Sequence, residues 1–295
     1  DGKAGRREKM EQEKNKMEQG KSKQQRMREL VELLNRARKA YEQDNTEIMS
    51  NYEYDRLYDE LEELEKELKQ KMEEITPIDR QVMEAAWKNW DGLCKPLRGL
   101  GWLEEALVQI AGIMRDDRPH PDKRAVVIMG ADNGVVKEGV TQTDQSVTMQ
   151  VLENMGNDLS TACVMSHQAG CDMIPVNIGG LTDGVHPKIR NRVVRYGTGN
   201  IAKEPAMTRE ECVKAILTGI EIVKELKEEG YQLIVTGEMG IGNTTTSAAC
   251  AAVLFGKDPA DVTGRGAGLS SEGLNRKINA IRSAIAVNKP DPKDA

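Results

Sequence analysis

The sequence lacks several features that would tie it to a membrane, to secretion or to nucleic acid. No stretch approaches the run of about 20 apolar residues that a membrane-spanning helix needs. The first residues are charged and contain no apolar core of a signal peptide. Acidic residues outnumber basic ones, 48 to 42, whereas a nucleic-acid-binding surface needs a basic excess. We therefore expect a cytoplasmic protein that binds neither membranes nor nucleic acid.

The sequence also lacks the cysteine and histidine spacings of disulfide frameworks and metal sites. Its five cysteines, an odd number, contain no CxxC pair (Cys94, Cys163, Cys171, Cys212 and Cys250). This pattern is typical of reduced thiols in a cytosolic core. The three histidines form neither HxxxH nor HExxH. No metal and no cofactor are expected.

The composition changes near residue 72, because all ten prolines, all five cysteines and all three tryptophans lie beyond that point. Residues 1–25 are predicted to be a disordered polar tail, since they have too few apolar side chains to offset chain entropy. Residues 26–71 contain two apolar stripes at helical spacing and predict a helical hairpin. Ser50 and Glu53 have the spacing of a capping box at the start of its second helix. Packing or dimerisation would be the ordinary role of such a hairpin.

Residues 72–295 alternate between apolar runs and helical segments. The apolar runs at 124–130, 172–178, 192–196 and 232–236 are predicted to be buried strands. Helical segments are expected at 146–169, 209–229 and 245–255, with helix starts at Thr76 and at the Thr208–Glu211 capping box. The alternation predicts an α/β fold, a doubly wound and mostly parallel sheet with flanking helices.

Glycine-rich loops follow three of the predicted strands, at 131–139, 197–200 and 237–245. Ligands bind at the carboxyl ends of parallel strands, and free amides at a helix start favour an anion. Asn243, Thr244 and Thr245 could add side-chain hydrogen bonds there. The alternative is a tight, capped strand-to-helix turn. A Walker motif is absent, and the glycine-rich stretch 264–268 follows no clear strand. The residues alone therefore predict a protein that binds a phosphorylated small molecule.

These loops, taken together, resemble the nicotinate-nucleotide:dimethylbenzimidazole phosphoribosyltransferases. The resemblance runs from residue 75 to 295 and rests on six stretches in order: 75–79, 90–97, 131–135, 197–208, 237–245 and 262–266. It implies transfer of ribose phosphate from nicotinate mononucleotide to 5,6-dimethylbenzimidazole, giving α-ribazole 5′-phosphate for the lower ligand of cobalamin. It also implies a homodimer if the fold is complete, because the family's downstream strands and helices contribute to the dimer interface.

The resemblance assigns roles to particular residues. Glu238 would be the catalytic carboxylate, near the developing positive charge of the ribose. The phosphate and ribose would be bound by Gly240, Gly242, Asn243, Thr244, Thr245, Gly264, Gly266, Lys277, Gly197, Gly199 and Asn200. The pocket for the benzimidazole base would contain Asp132, Thr143, Gln145 and Met239. A salt-bridged Glu238 and ordinary loop roles for Thr143 and Gln145 are the alternatives.

The chain departs from the family pattern in two ways. Asn133 stands where many members have histidine and Asn177 where they have aspartate, so neither residue is assigned acid–base work. The family's catalytic base is a glutamate beyond the last residue of this chain, and the α/β domain is expected to be incomplete at its C-terminus. A module that binds nicotinate or nicotinamide mononucleotide without turnover is therefore the alternative function.

The N-terminal segment resembles the N-terminal helical domain of NAD-dependent DNA ligases, which helps to grip the nicotinamide mononucleotide end of NAD. The resemblance lies in 28–41 and 49–61 and includes Tyr54 and Asp55. Asn51 replaces an expected aspartate, and Glu42 replaces an aromatic residue. The adenylation domain and its K-x-D-G motif are absent, so ligation is excluded for this chain. A nucleotide-gripping or coiled-coil adaptor is a third hypothesis.

Overall fold

A computed structural model describes residues 51–293. Its strands are β1 (Arg124–Ala131), β2 (Cys171–Gly179), β3 (Arg190–Asn191) and β4 (Leu233–Met239). Its α-helices are α1 (Asn51–Glu73), α2 (Arg80–Asp91), α3 (Trp102–Met114), α4 (Ser146–Gly156), α5 (Thr161–Gln168), α6 (Arg209–Glu228), α7 (Asn243–Leu254), α8 (Pro259–Val262) and α9 (Ser271–Asn288). A 3-10 helix covers Gly134–Glu138. No helix in residues 51–293 is both long and apolar enough to cross a membrane.

The four strands form one parallel sheet in the order β3-β2-β1-β4. Val126 in the central strand pairs with Met173 of β2 and Val235 of β4. The chain winds outward from β1 in one direction to β2 and β3, and then returns to place β4 on the other side. This reversal confirms the doubly wound α/β prediction, and it sets a topological switch point between β1 and β4.

Helices cover both faces of β1 and β2, which explains why these two strands read as continuous apolar runs. On one face Ile128 packs with Leu152 of α4 and Cys163 of α5. On the other face Val127 packs with Ile222 and Leu226 of α6. Consecutive residues of a strand point to opposite faces, so both must be apolar when both faces are covered. Each such side chain contributes about 1.5–3 kcal/mol when fully buried. The prediction of a buried strand at 232–236 is wrong in its burial, because β4 lies at the edge of the sheet and Val235 is 45% exposed.

The predicted strand at 192–196 is wrong, because the regular pairing ends with β3 at Asn191. Beyond it the backbone N–H of Arg192 donates to Asn177 and that of Val194 donates to Ile178. The loop thus advances two residues for each residue of β2. Parallel strands keep equal rises, so this segment follows the edge of β2 as an irregular loop.

The single helical segment predicted at 146–169 is also wrong, since it forms two helices, α4 and α5. Asp158 adopts a left-handed φ of 61° between them. Ser160 then caps α5 by accepting a hydrogen bond from the backbone N–H of Cys163. A left-handed residue and a new N-cap cannot continue a helix, so the chain turns there.

The predicted helix starts have mixed outcomes. Thr76 is not a cap, because the Asp79 carboxylate caps α2 by accepting from the N–H groups of Gln81 and Val82. The Thr208–Glu211 capping box at the start of α6 is confirmed. Ser50 lies outside the described residues.

The described residues contain only the second helix of the predicted hairpin, as α1. The predicted tail 1–25 and the first hairpin helix lie outside the described residues. In its C-terminal half, α1 contacts α6 through an ion pair of 2.9 Å between Glu65 and Arg209. The next two helices, α2 and α3, pack on one another through Ala86, Val108 and Ala111.

Candidate functional site

Loops that follow the strands interlock at the carboxyl edge of the sheet. The N–H of Thr198 donates to the carbonyl of Asp132 over 2.9 Å, and the N–H of Gly134 donates to the Thr198 hydroxyl over 3.0 Å. The Asn133 side chain donates to the carbonyl of Ile241 over 3.1 Å. The three glycine-rich loops that the sequence singled out therefore meet beside the switch point.

Glycine is required where these loops cross. A Cβ on Gly240 would lie 2.2 Å from the carbonyl oxygen of Ala131, and one on Gly134 would lie 2.5 Å from that of Thr198. Both distances are shorter than van der Waals contact. Gly242 has a φ of 93°, a conformation that other residues rarely adopt. Two of these three glycines, Gly240 and Gly242, were among the predicted site residues.

Glu238 lies near the carboxyl end of β4 and is exposed. Its carboxylate accepts a hydrogen bond of 2.5 Å from the side-chain amide of Asn243. The carbonyl oxygen of that amide in turn accepts from the N–H of Thr244 over 2.7 Å. Glu238 is thus connected to the first turn of α7 by an amide and not by an ion pair.

The first backbone amides of α7 already have acceptors within the protein. The N–H of Asn243 donates to Gly240, that of Thr244 to the Asn243 side chain, and that of Thr245 to Gly242. Thr245 is fully buried, and its hydroxyl has no hydrogen-bond partner among residues 51–293. These three N–H groups are therefore not free to donate to a bound anion, so a positive charge for an anion must come from another group.

Lys277 supplies such a charge, since α9 brings its ammonium group to the start of α7. The residue is only 1% exposed. Its Nζ donates to the Thr244 hydroxyl over 2.7 Å and to the Gly264 carbonyl over 3.1 Å. Burial lowers the pKa of Lys277. A Cβ on Gly266 would lie 3.4 Å from Nζ, so the glycine keeps the neighbourhood of the ammonium clear.

The loop at 197–200 packs against the 3-10 helix that follows β1. Gly197 has a left-handed φ of 74°, and Gly199 allows close approach to Pro205. The side chain of Asn200, 5% exposed, donates to Glu138 over 2.6 Å. This bond and the Lys203 ammonium lower the pKa of Glu138. The side-chain amide of Asn200 is therefore already bonded within the protein, to Glu138 of the 3-10 helix.

The residues predicted for the base pocket come from three parts of the fold: the loop after β1, the segment before α4 and the end of β4. Asp132 is 1% exposed and accepts from the N–H of Leu181 over 3.0 Å. Burial raises the pKa of Asp132 above its ordinary value, against hydrogen bonds from Thr148 and Leu181. Met239 packs against the cluster around Ile128, on the α4 side of the sheet.

The other two predicted pocket residues lie in the segment before α4. Thr143 is exposed, and its carbonyl accepts from the Thr141 hydroxyl over 2.6 Å. Gln145 donates to the backbone carbonyl of Asn133 over 3.2 Å. Gln145 thus bonds to the loop after β1, whereas Thr143 makes no hydrogen bond to the three loops within residues 51–293.

Sequence reasoning missed two hydroxyl groups of the site. Thr148 of α4 is fully buried and accepts from the N–H of Ile241 over 3.1 Å. Thr198 accepts from Gly134. Thr198 could have been found, since it lies inside the predicted loop at 197–200. Thr148 carries no such signal, because its partner is 93 residues away.

Within residues 51–293, no cluster of three or more His, Cys, Asp and Glu side chains is placed to hold a metal ion. The five cysteines are free thiols, and Cys163 and Cys171 are buried. The groups at these loops are thus amides, hydroxyls, the carboxylates of Asp132, Glu138 and Glu238, and the buried ammonium of Lys277.

Two family models match the chain. One, described as phosphoribosyltransferase, matches residues 75–295. The other, described as the DNA ligase-like N-terminal NAD+-binding domain, matches residues 20–80. Both resemblances noted in the sequence are confirmed by these matches.

Curated relatives and solved structures agree with the larger match. A nicotinate-nucleotide–dimethylbenzimidazole phosphoribosyltransferase of Ruminiclostridium cellulolyticum is 48% identical over 220 residues, 75% of this chain and 62% of the relative. The enzyme of that name from Clostridium tetani is 45% identical, over 77% of this chain and 63% of the relative. The crystal structure of CobT from Thermus thermophilus superposes with a TM-score of 0.67 at 38% identity, covering 72% of this chain and 64% of CobT.

The chain thus spans less than two thirds of the length of these relatives. The matched region contains β1 to β4, the three interlocked loops and Lys277. On the family match and these identities, the chain belongs to the phosphoribosyltransferase family of the nicotinate-nucleotide–dimethylbenzimidazole type.

Proposed function

We propose that this chain transfers the phosphoribosyl group of nicotinate mononucleotide to 5,6-dimethylbenzimidazole, forming α-ribazole 5′-phosphate. The observation that carries the proposal is the buried ammonium of Lys277 beside the interlocked loops. Burial is the cause of its lowered pKa, and within residues 51–293 its hydrogen-bond partners are the Thr244 hydroxyl and the Gly264 carbonyl, with no carboxylate among them. A buried charge is costly unless it is paired, and a phosphate would pair it. The names of the relatives support the choice of substrates.

The reaction needs little acid catalysis at the leaving group. The bond between C1′ of the ribose and the pyridinium nitrogen breaks. Its electron pair stays on that nitrogen and removes the nitrogen's positive charge, and nicotinate departs. A lone pair of the benzimidazole nitrogen forms the new bond to C1′. The second ring nitrogen then releases its proton to solvent water. The protein must therefore hold the phosphate, orient the ribose and stabilise positive charge at C1′.

The proposed roles follow from the position of each group. Lys277 and the Thr244 hydroxyl bonded to it would bind the 5′-phosphate, next to Gly266. Glu238, exposed near the end of β4 and held by Asn243, would face the developing positive charge of the ribose. A carboxylate that hydrogen-bonds to a neutral amide keeps its full negative charge for this purpose.

The test is turnover by the purified chain. Incubation with nicotinate mononucleotide and 5,6-dimethylbenzimidazole is expected to give α-ribazole phosphate, detected by mass spectrometry. Glu238→Gln should lower the rate by about 100-fold or more, since it removes the stabilising charge. The control is Glu272→Gln, because this carboxylate is 86% exposed and its ion pair is with Arg276, one turn away on the same helix.

Two other results would count against the proposal. Binding of nicotinate mononucleotide without product would favour the mononucleotide-binding module over the transferase. If the chain neither binds nicotinate mononucleotide nor forms product, both functions are contradicted.

We also propose a cytoplasmic homodimer whose α/β part begins near residue 72. The free thiols support the compartment, and exposed apolar side chains such as Trp102 (86%) and Leu97 (73%) support association. The changeover between the two family matches at 75–80 supports the boundary. Light scattering would measure the dimer. Limited proteolysis should cut first between α1 and α2, where Ile75 is 77% exposed.

A further inference from the structure

Both backbone groups of Ile241 are held by buried or partly buried side chains from distant parts of the chain. Its carbonyl accepts from the Asn133 side chain over 3.1 Å. Its N–H donates to the hydroxyl of Thr148, also over 3.1 Å. One contact comes from the loop after β1 and the other from α4. The loop after β4 is therefore fixed from two sides.

The two holding side chains are themselves fixed. Thr148 has no exposed surface, and its hydroxyl also interacts with the carboxyl group of Asp132. A hydroxyl that accepts from Ile241 still has its own proton to donate, so the two contacts are compatible. The backbone carbonyl of Asn133 accepts from Gln145 over 3.2 Å. Hydrogen bonds thus connect α4 and the segment before it with the loop after β1, and both of these with the loop after β4.

The loop needs such support because Ile241 lies between two glycines. Gly240 permits the close crossing of Ala131, and Gly242 has a φ of 93°. Glycines have more backbone freedom to lose than other residues, so fixing a stretch that contains two of them is entropically unfavourable. Without external contacts, this stretch would sample several conformations at the start of α7.

The geometry points to Asn133 and Thr148 as positioning residues that clamp Ile241 and so hold the first turn of α7 at the mononucleotide site. This inference rests on the proposed function, because the turn carries Thr244, which bonds to Lys277. A loop that moves would carry Asn243 and Thr244 away from Glu238 and Lys277. Neither positioning residue needs to touch the substrate for this effect.

The test compares Thr148→Val, which removes the hydroxyl at nearly constant shape, with Thr148→Ser, which keeps it. Hydrogen exchange of residues 240–245 is measured by mass spectrometry, and the Kd for nicotinate mononucleotide by calorimetry. In Thr148→Val we expect faster exchange in that segment and a Kd raised by about 3- to 10-fold, since one hydrogen bond contributes about 0.5–1.5 kcal/mol. Thr148→Ser should restore both quantities to nearly wild-type values.

The matched control is Thr218→Val. Thr218 is equally buried, at 4% exposure, but its hydroxyl donates to Lys214 within α6. This variant should unfold more easily without changing exchange at 240–245 or the Kd. An equal rise of Kd in both valine variants would assign the effect to general destabilisation and overturn the clamp.

The exchange measurement separates the clamp from the proposed function. Unchanged exchange at 240–245 in Thr148→Val would overturn the clamp, whatever the ligand does. Faster exchange with an unchanged Kd would overturn its role in positioning. If the wild-type chain binds no nicotinate mononucleotide, the proposed function and the role in positioning both fail, and the exchange result alone decides whether the loop is clamped.

Discussion

Replacing Lys277 with methionine should weaken mononucleotide binding strongly while leaving the fold intact. Methionine keeps most of the apolar stem that packs in the interior and removes only the ammonium group. Two hydrogen bonds, to Thr244 and Gly264, are lost. The cost of burying a charge, which is the cause of the lowered pKa, is lost with them. These changes oppose each other, so the free energy of unfolding should change by less than about 2 kcal/mol.

The effect on the ligand has no such compensation. Two unit charges 4 Å apart interact by about 4 kcal/mol at an effective dielectric of about 20, the value that describes even buried sites in proteins. Part of this is offset by lost hydration of the phosphate, which leaves about 2–3 kcal/mol. Lys277→Met should therefore raise the Kd for nicotinate mononucleotide by about 30- to 150-fold. Raising the salt concentration should weaken the wild-type chain's binding more than that of the variant.

The assay is calorimetric titration at two salt concentrations, with urea unfolding to measure stability. Lys257→Met is the control, because it changes the net charge equally at an exposed site. A folded Lys277→Met protein that binds within about threefold of the wild type would refute the reasoning. The phosphate would then not lie at this ammonium.

Gly134→Ala should destabilise the protein by about 1–3 kcal/mol in urea unfolding, because its Cβ would lie 2.5 Å from the Thr198 carbonyl oxygen. Gly219→Ala, with no atom within 4 Å inside α6, should instead stabilise it by about 0.5–1 kcal/mol, and the opposite signs are the check. The raised pKa of Asp132 means that the unfolded chain releases this proton first, so this carboxyl costs stability as pH rises above its ordinary pKa. Asp132→Asn should remove that loss, which unfolding curves between pH 3 and pH 7, about the range where a carboxyl titrates, would measure. The pKa of Tyr231 is raised to about 12 by burial and its bond to Asp172, so wild-type stability should fall between pH 10 and 12 more steeply than that of Tyr231→Phe.

The central strands could be predicted because burial on both faces leaves a direct record in the sequence. Val127 and Ile128 are both apolar since each faces a different layer of helices. The segment at 192–196 has two adjacent valines, Val193 and Val194, between two arginines, and this composition does not distinguish a strand from a loop that follows a strand edge. Its hydrogen-bond spacing, two residues for each residue of β2, depends on where Asn177 and Ile178 lie.

The candidate site could likewise be predicted from the sequence only in part. Glycines after predicted strands pointed to the three loops, and the meeting of the loops after β1 and β4 follows from a parallel sheet. The place of the loop at 197–200 did not follow, because the segment before it is not a strand. Their partners did not follow, because Thr148 and Ile241 are 93 residues apart and Asn133 and Ile241 are 108 residues apart. Lys277 could be assigned only through family resemblance, since a lysine in an amphipathic helix ordinarily faces solvent.

The hydrogen bonds at the start of α7 indicate a different way of binding an anion from the one that the sequence predicts. A glycine-rich turn before a helix predicts that free amides hold the phosphate. Here the amides of Asn243, Thr244 and Thr245 are already bonded within the protein. A helix start whose amides are bonded still contributes its dipole, worth about 0.3–1 kcal/mol, which is less than a buried ammonium can provide. Affinity for the phosphate should therefore depend more on Lys277 than on the glycine-rich loop, and the loop's part is to keep Thr244 within reach of that ammonium.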